Sequence, residues 1–139
     1  MQLPMDNPET FPGIPLQGHL CSMRRDNEKH YWRVERLISE SKNLPVGRAE
    51  VEVLIGRLGN GTWFGVNERA TIKSVLAHIK RAMSADLMCP IILSSDGKIM
   101  DGTHRLVAAS LKGIKEIPTV QFSLDPIPEH IEANKEVGV

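Results

Sequence analysis

The chain reads as a mixed α+β fold, and three observations lead there. Amphipathic helical stripes and short apolar runs follow each other as helix, strand, helix, hairpin, helix, strand, tail, which is not the regular alternation of a βαβ enzyme. The 139 residues suit one domain, and a 41% hydrophobic content suffices for a single core. No internal repeat or low-complexity segment points to a solenoid or a fibre.

Each element has its own signal. Residues 1–25 carry Pro4, Pro8, Pro12 and Pro15 and no period, so an extended arm is expected, packed on the domain or on a protein partner. Over 26–43, Tyr31, Val34, Leu37 and Ile38 fall at helical spacing behind Asp26 or Asn27 as cap; the expectation is a helix over about 27–42. Its Arg24, Arg25, Lys29, Arg33 and Arg36 form a solvated face or an anion-facing surface. Val51, Val53 and Ile55 alternate with polar residues and predict a half-exposed strand. "GNGTWFG" is a connection in which Trp63 and Phe64 cover the core or stack on a base. Ile72, Val75, Leu76, Ile79 and Met83 form an amphipathic stripe, with Thr71 or Asn67 as its cap.

"CPIILSSDGKIMDG" reads as strand, Asp96-Gly97 turn of type I′, strand. "THRLVAASLKGI" is a short helix with Leu106, Val107, Ala109, Ser110 and Leu111 toward the core, stopped by Gly113. "KEIPTVQF" closes as a strand, and the tail 123–139 ends in a loose helical turn.

Lys+Arg and Asp+Glu are equal at 17 each, so a chain that coats DNA through its net charge is not favoured. Cys21 and Cys89 form no metal-ligand spacing with each other or with the histidines, and Cys89 before Pro90 reads as a buried free thiol. No apolar run approaches the ~18–20 residues of a membrane span, and the N-terminus has no secretory pattern. A cytoplasmic protein with reduced thiols and no membrane partner is the expectation.

The chemistry concentrates at Asp101-Gly102-Thr103-His104-Arg105, where a strand runs into a helix. A helix start presents unpaired N–H groups and the positive end of the helix dipole, and an anion there is stabilised by both. Gly102 lets backbone come close to a phosphate, Thr103 can donate a hydroxyl, and Arg105 offers a bidentate fork. His104 can donate a hydrogen bond or act as acid or base, and Asp101 can orient it or hold a divalent cation. The same residues also make a plain turn, a helix cap and two surface cations.

"PIILSSDGKIMDGTHRLVAASLKGIKEIPTVQF" resembles the signature region of the ParB/sulfiredoxin superfamily, in Gly102-Thr103-His104-Arg105, Ala108-Ala109, Gly113 and Ile117-Pro118. The likeness covers roughly residues 44–122. It implies a small mixed sheet packed with helices, and a nucleotide (ATP, ADP or CTP, with Mg²⁺) held by its phosphates at the box. Thr103 stands where sulfiredoxins have their Cys, so sulfinic acid reduction is not expected. The 17 residues after Phe122 do not suffice for the helix-turn-helix domain of partition proteins.

The Asp-Gly-x-His-Arg form is most similar to the box of free-serine kinases. That likeness implies a catalytic carboxylate at Glu68, taking a hydroxyl proton during phosphoryl transfer, though Glu68 also reads as an exposed loop acid. The family's preceding helix borders the nucleotide pocket, which brings in Ser74 and His78 at i and i+4; His78 also reads as a structural histidine. Three functions follow as expectations: a small phosphotransferase or nucleotide hydrolase, with His104, Glu68 and Asp101 as its catalytic groups; a non-catalytic nucleotide-switched interaction module; and a ParB-like nuclease acting on DNA.

Overall fold

The computed structural model describes residues 20–59 and 69–133. The chain is a mixed α+β protein with four helices and two small sheets among these residues. It divides into two compact units: residues 1–43 with 124–139, and residues 44–123. Among the described residues no helix is long and apolar enough to cross a membrane.

The first unit is a three-stranded antiparallel sheet ordered β1-β2-β7, with one helix. Strand β1 (Leu20–Arg25) and strand β2 (Glu28–Arg33) form a hairpin across Asp26-Asn27, with Asp26 in the left-handed region at φ 55°. Helix α1 (Val34–Ser41) follows β2 at once. Strand β7 (His130–Ala133) lines the other edge of β2.

Three expectations change here. The stretch 27–42 is helical only from Val34, because the aromatic and β-favouring residues before it pair in β2. The end of the arm is strand β1, and the tail holds strand β7, which was not expected; residues 134–139, where the tail was expected to end in a helical turn, lie outside the described residues. Cys21 and Trp32 face each other across β1 and β2 and are buried. Trp32 Nε1 donates to the Pro126 carbonyl at 2.7 Å, so the indole is satisfied.

Three basic residues of this unit are tied to acids. Arg25 pairs with Asp125 at 3.1 Å, Arg33 with Glu35, and Arg36 with Glu40 and, at 2.7 Å, with Glu129. The hydrogen bond to Glu129 raises the Arg36 pKa above its ordinary value. A raised base contributes its stability below its ordinary value and loses it only above, so this guanidinium stays charged throughout the working range.

The second unit is a four-stranded sheet ordered β3-β6-β4-β5. Strand β3 (Gly47–Glu50) leads directly into helix α2 (Val51–Ile55). Helix α3 (Ile72–Met83) precedes strand β4 (Ile91–Leu93), strand β5 (Ile99–Asp101), helix α4 (Thr103–Leu111) and strand β6 (Glu116–Gln121). Strands β4 and β6 are parallel, with α4 on the connection between β5 and β6; the other pairs are antiparallel. The core is Val51, Leu54, Ile91, Leu93, Leu106, Ala109 and Ile117.

The half-exposed strand expected at 51–55 is α2. Val51 and Leu54 are buried at i and i+3, while Val53 is 48% exposed, so helical spacing prevails over the alternation in so short a window. Helix α3 occurs where its stripe predicts, but buries another face: His78 and Ala82 are inside, and Ile72 (81%), Leu76 and Met83 are exposed. The hairpin loop is not a two-residue type I′ turn. Ser94 N donates to Lys98 O at 2.8 Å, Gly97 N to Ser94 O at 2.9 Å, and Gly97 (φ 83°) is the loop's residue with positive φ. This is a three-residue loop with a glycine bulge, and it accompanies a register shift at Ile92/Leu93.

Helix α4 ends at Gly113 as expected: Gly113 N donates to Ser110 O and Ile114 N to Ala109 O, the Schellman pattern. Leu111 is exposed rather than inward. Cys89 is exposed too, because strand β4 starts only at Ile91 and the thiol sits in the preceding turn against Asp86.

Candidate functional site

The Asp101–Arg105 box joins β5 to α4. Gly102 is the helix N-cap at φ 115°, ψ 16°, a conformation that side chains resist. A Cβ there would lie 2.6 Å from Ile91 Cδ1 and 2.9 Å from Arg105 Nη2. Both the turn and the seat of α4 on β4 therefore require glycine.

A glycine N-cap supplies no side-chain oxygen to the first helical turn, and none caps α4. Thr103, which could have served as the cap, is instead the first helical residue. The peptide N–H groups at the start of α4 keep their positive end without an internal carboxylate or hydroxyl cap from Gly102.

Two side-chain pairs flank this start. Arg105 Nη2 donates to Asp101 Oδ2 at 2.8 Å, an i, i+4 pair in which both groups are mostly shielded from solvent. Asp101 thus orients Arg105, whereas sequence reasoning assigned it to His104 or a cation. The guanidinium retains further N–H donors beyond the one Asp101 accepts. In the second pair, His104 Nε2 lies 2.8 Å from His78 Nδ1. The ring planes are 15° apart and the centroids 5.1 Å, which is the N···N distance plus about two ring radii, so the rings meet edge to edge.

Helix α3 supplies His78 from its buried face, at 1% exposure. Ser74, one turn earlier, has a different task. Its Oγ accepts from Thr71 N at 2.9 Å, while Thr71 Oγ1 accepts from Ser74 N at 3.1 Å. This reciprocal capping box holds the start of α3, and among the described residues no hydrogen bond joins Ser74 to the box at Asp101–Arg105.

Glu68, Asn67, Trp63 and Phe64 lie outside the described residues. Among the described residues no group of three His, Cys, Asp or Glu side chains converges as a metal site. An open groove of about 650 Å³ in the same unit is lined by Arg48, Glu50, Glu52, Ile114, Lys115 and Glu116. None of the box residues lines it, and its carboxylates outnumber its cations.

Sequence reasoning did not foresee Ile91 beneath Gly102 or the direct His78–His104 bond. The i, i+4 spacing of Asp101 and Arg105 on a helix start was the available signal for their pair. Nothing local signals the other two, which join elements distant in the chain. Comparisons with protein-family models, curated proteins and solved structures find no match to this chain.

Proposed function

We propose that residues 44–123 form a ParB/sulfiredoxin-like domain that binds a nucleotide by its phosphates at the start of α4. The uncapped helix start between Arg105 and His104 carries this reading. Backbone N–H groups, a hydroxyl, a guanidinium and an imidazole belong to successive residues there, all of types that donate to phosphate oxygens. The order strand, turn, strand, box, helix, strand agrees with the resemblance of the sequence.

In this reading the phosphate meets the first-turn N–H groups and the Thr103 hydroxyl. Arg105 contacts it from the side, held at the correct angle by Asp101. His104 donates to an oxygen of the same phosphate, which places positive charge where a phosphoryl group accumulates negative charge. Mg²⁺ carried by the nucleotide needs only one or two protein carboxylates, and Asp101 fits that need beside its bond to Arg105; the ion would neutralise phosphate charge.

Binding is the core of the proposal, and turnover its extension. Calorimetric titration of ATP, ADP and CTP, with and without Mg²⁺, tests it. Arg105→Ala is expected to weaken binding roughly ten-fold or more, as loss of a charge-assisted contact does. If none of the three nucleotides binds the unaltered chain, the reading fails. Release of phosphate or nucleoside diphosphate in the same mixtures would extend it to an enzyme.

A further inference from the structure

The sheet of the second unit ends on β3, and among the described residues no strand pairs with its outer edge. The register tells which backbone groups face that edge. Val51 N donates to Lys115 O at 2.8 Å, so residues 47, 49 and 51 turn their peptide groups toward β6. Arg48 and Glu50 turn theirs away, in keeping with Pro118, which lies opposite Arg48 and has no N–H. The Glu50 carbonyl starts α2 as its N-cap. The N–H and C=O of Arg48 and the N–H of Glu50 are left along the edge, next to Val46 at 63% exposure.

The charges on this edge are incompletely paired. Arg48 and Glu50 share the outer face of the sheet, since Ala49 between them packs against the core. Glu50 stands directly opposite Glu116 of β6, a like-charge pair. Arg48 turns to Glu116, with Nε 3.5 Å from its carboxylate. Among the described residues Glu50 has no ion-pair partner, and its side chain does not cap α2. Such an edge suits a strand that brings a carbonyl and a cation to Glu50 together.

We propose that β3 pairs antiparallel with β3 of a second copy of this chain, about a two-fold axis at Ala49. A symmetric pairing that sets outward-facing residues opposite each other can centre on Arg48, on Ala49 or on Glu50. The first opposes two arginines and the last two glutamates. Only the pairing centred on Ala49 sets Arg48 of each copy opposite Glu50 of the other. Each Glu50 N–H then donates to the partner's Arg48 carbonyl, and each Glu50 carboxylate gains a guanidinium on the side away from Glu116. The two four-stranded sheets become one. Strands of four residues bury less than the ~1,200 Å² of a stable interface, so the dimer is weak, with a Kd of about 0.1–1 mM.

Sedimentation equilibrium of the full chain, from about 10 µM to about 2 mM, reads the association. The weight-average mass is expected to rise from 15.5 kDa toward twice that value. Arg48→Glu and Glu50→Arg each set like charges opposite one another and are expected to weaken the dimer by about ten-fold or more. Both exchanges in one chain restore opposite charges, and this double variant is expected to associate as the wild type does. An equimolar mixture of the two single variants is expected to associate as well, which keeps the test decisive where the double variant folds poorly; circular dichroism reads the fold. A wild-type chain that stays monomeric at the highest concentration overturns the proposal. So do single variants that associate like the wild type, which would place the contact elsewhere. A folded double variant that stays monomeric, or a mixture that does, overturns the pairing of Arg48 with Glu50.

Discussion

At the scale of single residues, Gly102 is the most constrained position of the box. Its φ of 115° and the 2.6 Å approach of Ile91 Cδ1 act together. Gly102→Ala is expected to cost about 2 kcal/mol or more and to lower the thermal midpoint by several degrees. Gly113→Ala, at φ 71° with no neighbour within 4 Å of a Cβ, carries the backbone strain alone and is expected to cost about 1 kcal/mol. Denaturant titration of both variants separates strain from collision. Gly102 was legible as special from the Asp-Gly-Thr spacing. Ile91, eleven residues earlier in the chain, was not, because nothing in a local window reports which side chain lies beneath a turn.

At the scale of elements, Ser74 and His78 share one face of α3 and were grouped with the site on that ground. The structure separates them: Ser74 closes the capping box with Thr71, and His78 reaches His104. Ser74→Ala is therefore expected to cost about 0.5–1 kcal/mol of stability and to leave nucleotide affinity unchanged. A drop in affinity without loss of stability would return Ser74 to the site. Helix α2 offers a second test. Leu54→Ala is expected to cost about 2–5 kcal/mol, whereas Val53→Lys is expected to fall within about 0.5 kcal/mol, since Val53 is half exposed. Had the segment been a strand with Val51, Val53 and Ile55 inward, Val53→Lys would be the damaging change.

At the scale of the whole molecule, each unit can be considered by itself. All seven residues of the core cluster in the second unit lie within 44–123. A fragment 44–123 is therefore expected to fold cooperatively, with circular dichroism of a mixed α+β protein. The first unit depends on residues from both flanks of that segment. Pro126 accepts from Trp32, Glu129 holds Arg36 and Arg33 N, and β7 lines β2. Removal of residues 124–139 is expected to expose Trp32 and red-shift its fluorescence, read in a Trp63→Phe background. Non-local pairs of this kind explain why the tail read as a loose turn: its strand character comes from a partner about a hundred residues away.

The sequence by itself determined the mixed class, the position of α3 and α4, the Thr71 and Gly113 boundaries, and the strand-to-helix box, because caps, stops and turns act over a few residues. Tertiary structure decided which face of α3 is inside, whether 51–55 and 28–33 are strand or helix, and that His78 meets His104. The physical reason is one of range. Hydrogen bonds within a turn are written in neighbouring residues, whereas burial is the choice among several apolar stripes that the chain makes only when its distant parts compete to cover the same core.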